Sequence, residues 1–179
     1  MNDLSLHILD VSENCIDAGA GNIEIIIIED INKDYLTIEI TDDGKGMDDN
    51  MIAKIQDPFT TSRTTRKVGL GIPFFKEAAE SSGGMFEISS GIGKGTKVKA
   101  AFKHSHIDRK PMGDIAETLI ALILRAEKTE IFYCHKRNGK DFEFSTKDLK
   151  SLLKVQNLKQ AGLLKNLREI IKNKIAELY

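Results

Sequence analysis

The feature that most narrows what this chain can fold into is a helix with two committed faces near its start. In the stretch LHILDVSENCIDAGA, Ile8, Val11, Cys15 and Ala18 form an apolar stripe. Asp10, Glu13, Asn14 and Asp17 recur at i, i+3, i+4 and i+7, which brings three carboxylates and an amide to one side of the helix. The spacing predicts a helix over 4–18, ended by Gly19 and Gly21. A polar helix face of this kind is ordinarily solvated. Its meaning changes with the glycine-rich turns that follow in order, DDGKG at 42–46, VGLG at 68–71 and GKGT at 93–96.

Between these turns the hydrophobic pattern alternates between the two regular periods. NIEIIIIE and YLTIEITD read as strands joined by a polar turn around 32–34. Asp48 or Asp49 can cap a short helix through Ile55. The segment QDPFTTSRTTRKV has no hydrophobic period and is expected to be a mobile loop. A helix over 72–82 carries Pro73 in its first turn and stops at Gly83-Gly84. The strands MFEISS and TKVKAAFK flank the turn GIGKG. This order predicts a sheet covered on one face by helices, an α/β two-layer sandwich.

After Lys103 the character changes. HSHIDRKPMG is a connector, and a helix follows in which Asp114 and Glu117 make a capping-box pattern. IFYCH and DFEFS form a hairpin around 137–140, and the tail from Thr146 is a Lys- and Leu-rich helix. The chain therefore divides into 1–103 and a small α+β extension, 104–179, expected to pack on the first unit or to mediate association.

Composition excludes several classes of partner. A formal charge of −1 provides no basic field for nucleic acid or an anionic membrane. The longest apolar runs, 25–28 and 119–124, fall far short of the ~20 residues of a membrane span, and no signal-peptide pattern opens the chain, so a cytoplasmic protein is expected. Cys15 and Cys134 make no disulfide framework and lack a CxxC spacing. They are expected to be reduced packing residues. His104 and His106 have no further ligands at metal spacing, His7 reads as a packing residue, and His135 in the hairpin is a remote phosphoacceptor candidate.

Asp10-x-x-x-Asn14 with DAGA, then Asp42-Asp43-Gly44-Lys45-Gly46, then Gly69-Leu70-Gly71 and Gly95-Thr96, resemble the ordered boxes of the GHKL ATPases, the superfamily of gyrase, MutL and the histidine kinases. The resemblance covers 4–103: SENCIDAGA is closest to the MutL and gyrase form, and the second half is more like a histidine-kinase catalytic domain. It implies the Bergerat fold, with ATP and Mg²⁺ as cofactors. Asn14 then takes the position that coordinates magnesium, where a hard cation suits an amide oxygen. Asp42 takes that of the aspartate accepting the adenine amino proton. Gly44 and Gly46 let the backbone approach the base, and Asp17 and Met47 join the nucleotide-binding set. Thr96 matches a threonine that supports the adenine site, often through water. Gly69, Leu70 and Gly71 lead into a helix N-terminus that favours phosphate. Arg63, Arg66 and Lys67 lie in a lid-like loop from which cations could reach the terminal phosphates.

Three departures accompany the resemblance. Asp10 stands where the family's hydrolases and serine kinases carry a glutamate general base, one methylene longer; it ranks first as base here, with Glu13 second. RKVGLGI lacks the extra glycine and threonine of the sensor-kinase form. Only six residues precede His7, so the two-helix phosphoacceptor hairpin is not expected. The expected activity is ATP·Mg²⁺ binding with transfer of the γ-phosphoryl group to a partner protein, as in a histidine-kinase-like or anti-sigma-kinase-like regulator, with a homodimer among the assemblies considered. Two alternatives stay open: an ATP-gated interaction module without a productive base, and a slow ATP hydrolase of the MutL or gyrase type.

Overall fold

Two neighbouring strands of alternating burial organise the molecule. In the computed structural model, which describes residues 2–56, 71–126 and 128–179, β1 (Asn22–Asp30) buries Ile23, Ile25, Ile27 and Glu29. β2 (Tyr35–Asp42) buries Leu36, Ile38, Ile40 and Asp42. The two pair antiparallel with Ile25 opposite Ile40 and Ile27 opposite Ile38, so both buried sets face the same layer. Each fully buried isoleucine contributes about 1.5–3 kcal/mol over exposure. A one-residue slip would turn the whole set to the other face.

Helix α1 (Leu4–Asp17) precedes the strands, its first turn capped by the Asp3 carboxylate, which accepts the Leu6 N–H. Its stripe residues Ile8, Val11 and Cys15 are buried, and Ala18 is half-buried just beyond the helix end. After β2 come α2 (Asp49–Gln56), α3 (Gly71–Ser81), β3 (Met85–Gly91) and β4 (Gly95–Lys103). β4 pairs antiparallel with both β2 and β3. α3 packs on β3, β4 and α1, and the ring of Phe75 stands beside Phe86 and Phe102.

The residues after 104 continue the same layers. Helix α4 (Ile115–Arg125) begins at the capping box, with Asp114 accepting from the Glu117 N–H, and packs along α1. β5 (Glu130–Arg137) pairs parallel with β1, and β6 (Lys140–Ser145) closes that edge as the return strand of the hairpin. The sheet thus has six strands in the order β3-β4-β2-β1-β5-β6. Without β5, the isoleucine strand would expose an unpaired edge. The expected single helical tail is instead two helices, α5 (Thr146–Leu153) and α6 (Ala161–Ala176). The break falls at Lys154, whose φ of 53° is left-handed and ends α5. Among the described residues the architecture is an α/β sandwich: one mixed sheet with six helices.

His104 and His135 of the extension are structural. Glu29, buried on β1, accepts hydrogen bonds from His104 Nε2 (2.8 Å), His135 Nε2 (2.9 Å) and the Tyr179 hydroxyl (2.6 Å). His135 is wholly buried and also bonded to Tyr133, so it is no accessible phosphoacceptor. Burial alone would push the Glu29 carboxyl up, but the hydrogen bonds from His135, Tyr179 and His104 outweigh it and hold it at about 2. Cys15 and Cys134 are free, buried thiols.

Candidate functional site

One row across the sheet carries the polar groups of the site. Register places Ser90 of β3 opposite Thr96 of β4, and Thr96 opposite Asp42 at the end of β2. Asp42 is buried, and its Oδ1 accepts the Gly44 N–H at 2.8 Å, which orients the carboxylate at the base of the turn. Ser90 Oγ donates to the Gly95 carbonyl (2.7 Å), accepts from the Met47 N–H (2.9 Å) and meets Thr96 Oγ1 at 2.9 Å. Because the single Ser90 proton goes to the carbonyl, Thr96 donates to Ser90 and keeps its own lone pairs for a further donor.

The glycine turns are tied to one another and to the end of α1. Lys45 N–H donates to the Ala18 carbonyl (3.1 Å), and Gly93 N–H donates to the Lys45 carbonyl (2.7 Å). Gly46 has a φ of +65°, and a Cβ there would lie 1.8 Å from the Gly91 carbonyl oxygen. Gly95, at φ +77°, passes equally close to the Asp42 carbonyl, 1.9 Å from where a Cβ would sit. Asp43 is part of the frame, accepting from the Gly21 and Asn22 N–H groups at 2.7 and 2.8 Å.

These turns and helices enclose a cavity of about 180 Å³. Its polar lining includes Asn14, Asp17, Asp42, Lys45 and Thr96, and its apolar walls include Val11, Cys15, Met47, Ile72, Ile88 and Val98. An apolar slot with a few convergent polar groups is the form of a small-molecule site, and a flat heterocycle can sit between such walls. Asn14 is half-buried at the cavity wall, and its side chain has no hydrogen-bond partner among the described residues. The Cys15 thiol donates to the Val11 carbonyl (3.2 Å); burial first, and then the charge of Asp42, push it far above its usual range, so it packs rather than reacts.

Asp10 stands one turn before Asn14 and outside the cavity lining. Its side chain abuts the N-terminus of α3, where a Cβ on Gly71 would come within 2.9 Å of Asp10 Cβ and 3.2 Å of Oδ2. Gly71 therefore permits the approach of α3 to α1, a packing role that its place in the glycine box did not reveal. Burial raises the Asp10 carboxyl above the usual aspartate range.

Of the residues singled out from sequence, the structure places Asn14, Asp17, Asp42, Gly46, Met47 and Thr96 in the lining of one cavity; Gly44 is bonded to Asp42, and Asp10 and Gly71 meet each other outside the lining. Arg63, Arg66, Lys67, Gly69 and Leu70 lie outside the described residues. Asp17 is not solely a pocket residue, because its Oδ1 accepts Arg125 Nη2 at 2.8 Å, and Arg125 also pairs with Glu13 at 3.3 Å. Ser90, Lys45 and Arg125 were missed. The first two are ordinary strand and turn residues until the register joins them, and Arg125 arrives from a helix 108 positions away.

Comparisons with known proteins place the chain in a family and a fold. Residues 2–106 match the model of the histidine kinase-, DNA gyrase B- and HSP90-like ATPases. A protein of Rickettsia conorii named for its likeness to the NtrY sensor histidine kinase is 25% identical over 62% of this chain and 18% of its own length. Sporulation kinase A of Bacillus subtilis is 27% identical over 56% of this chain and 16% of its own. The chain thus spans less than a fifth of these relatives. Among solved structures, the N-terminal domain of a DNA repair protein superposes with a TM-score of 0.54 at 18% identity, over 82% of this chain and 53% of that one. The ADP-bound MutL ATPase domain of Aquifex aeolicus superposes with a TM-score of 0.52 at 13% identity, over 87% of this chain and 70% of that one. Both superpositions extend past residue 106, so part of the extension shares the common fold. Among the described residues no helix is long and apolar enough to cross a membrane. With the family model covering more than half its length, the chain belongs to the histidine kinase-, DNA gyrase B- and HSP90-like ATPase family.

Proposed function

We propose that this protein binds ATP with magnesium in the cavity between α1, β2 and β4 and transfers the γ-phosphoryl group to a partner protein. The observation that carries the reading is the pairing of a buried, backbone-oriented Asp42 with an Asn14 amide that has no hydrogen-bond partner among the described residues, both lining one cavity. A carboxylate in that place accepts the exocyclic amine of adenine, where guanine would present a carbonyl oxygen and be repelled. Met47, Ile88 and Val98 supply apolar surface for the base.

The donor set also fits magnesium. Asn14 offers a hard amide oxygen, and magnesium takes its remaining ligands from phosphate oxygens and water. Magnesium held there would neutralise charge on the phosphates. Asp10, with its carboxyl raised by burial, is placed to accept a proton from an acceptor hydroxyl or water beside the start of α3. Positioning and charge neutralisation account for most of the rate enhancement in phosphoryl transfer, so one base of modest strength suffices.

Calorimetric titration of ATP with and without magnesium, on the wild type and Asn14→Ala, tests this reading. Magnesium-dependent binding that is lost in the variant is the expected result. Labelled phosphate on a partner protein supports the kinase, and free phosphate alone would replace it with the hydrolase. Tight binding without either product would make the chain an ATP-gated module, and no binding to the wild type would refute the nucleotide reading outright.

A further inference from the structure

The helix face that holds Asn14 is unusually acidic for a site that receives an anion. Asp10, Glu13 and Asp17 share it, and Glu13 and Asp17 stand at i, i+4, where like charges repel. Among the described residues, the cation that answers them comes from outside the family segment 2–106. Arg125, in the last turn of α4, spreads its guanidinium over both carboxylates: Nη2 lies 2.8 Å from Asp17 Oδ1, and Nη1 lies 3.3 Å from Glu13 Oε1. A planar fork can hold two carboxylates at once, whereas a lysine would act as a point charge. Asp17 itself lines the cavity, so this bridge sits at the cavity wall. The packing of α4 along α1 sets the reach of the arginine.

We propose that Arg125 is a positioning residue for nucleotide binding: by neutralising Glu13 and Asp17 it makes the Asn14 face tolerant of a polyphosphate, and it thereby places ATP affinity under the control of the C-terminal extension. The proposal rests on the ATP reading above. Its signature is selectivity for charge: a neutral nucleoside occupies the apolar slot and is indifferent to the two carboxylates, whereas a polyphosphate beside Asn14 is not.

The full-length chain is titrated with magnesium-ATP and, separately, with adenosine followed by chemical shifts up to millimolar concentration. Arg125→Ala is expected to weaken ATP about tenfold at low salt and less at high salt, leaving adenosine within about twofold. Adding Glu13→Gln, which lies outside the cavity lining, to Arg125→Ala is expected to regain about threefold of the lost ATP affinity, because one of the two uncompensated charges is then gone. Equal weakening of ATP and adenosine would overturn the proposal in favour of a purely structural role for α4. Unchanged ATP affinity would overturn it too. So would a loss that Glu13→Gln does not reduce, which would indicate direct contact of Arg125 with phosphate. A wild-type chain that binds neither compound would instead refute the nucleotide reading itself.

Discussion

His7 offers a test of how the two helices flanking the site are held together. It lies on α1 one turn before Asp10 and Val11, wholly buried, with its ring stacked on Phe75 of α3 at 5.3 Å and 14°. Among the described residues neither ring nitrogen has a hydrogen-bond partner. Burial, reinforced by the nearby charge of Lys110, brings its pKa down from 6.5 to about 4. At about 1.36 kcal/mol for each pH decade, that difference corresponds to about 3 kcal/mol between the neutral and charged forms. The unfolded chain takes up this proton near pH 6.5 and the folded chain near 4. Stability is therefore full above pH 6.5 and falls by up to about 3 kcal/mol as pH drops toward 4. His7→Leu keeps a similar volume and removes two unpaired polar atoms, so a gain of about 1–2 kcal/mol is expected at pH 7, less whatever the ring stack contributes. The variant should also lose most of the slope between pH 6.5 and 4.5. Urea unfolding midpoints of both proteins across that range measure both effects. A variant whose stability still declines as steeply as the wild type over that window would refute the assignment, since the responsible group would lie elsewhere.

Three further outcomes are expected. Asp10→Asn should abolish phosphoryl transfer or ATP hydrolysis while leaving magnesium-ATP affinity within about threefold, as read by calorimetry alongside phosphate release; surviving turnover would remove Asp10 from the role of base. Gly46→Ala should destabilise the fold by about 2 kcal/mol or more and weaken ATP binding, because a left-handed φ and the overlap with the Gly91 carbonyl both act against a side chain; thermal unfolding measures the first effect and titration the second. Glu29→Gln should cost about 2–4 kcal/mol, because three donors converge on that buried carboxylate and an amide presents one of them with another donor. It should also remove the loss of stability that the wild type shows as pH falls from about 4.5 toward 2, the carboxyl being held below its unfolded value, which acid unfolding followed by circular dichroism would record.

What could be read from the chain before its fold was known is what short-range physics encodes. The i, i+3, i+4, i+7 spacing places Asp10, Glu13, Asn14 and Asp17 on one helix face whatever surrounds the helix. The alternation in YLTIEITD sets which side of β2 is buried, and the Asp114–Glu117 box starts α4 where the pattern indicates. The glycine boxes, in order and with the polar face of α1, identify the family and the polar lining residues Asn14, Asp17, Asp42 and Thr96. Each of these signals acts within about a turn of helix or a strand length, so the linear sequence carries it intact.

Other features exist only once distant segments meet. The parallel pairing of β5 with β1 joins Ile25 to Tyr133 and Ile27 to His135, residues more than a hundred positions apart, and parallel strands leave no turn to mark their partnership. For the same reason an extension that reads as a separate unit shares the sheet and sends Arg125 onto the carboxylate face of α1. Ser90 becomes a site residue because the β3–β4 register sets it against Thr96, and Gly71 is needed at the α1–α3 contact because Asp10 lies beneath it. Helix faces and turns are properties of neighbouring residues, whereas register, crossover and cross-helix charge pairing depend on the packing of the whole core, so only the tertiary structure decides them.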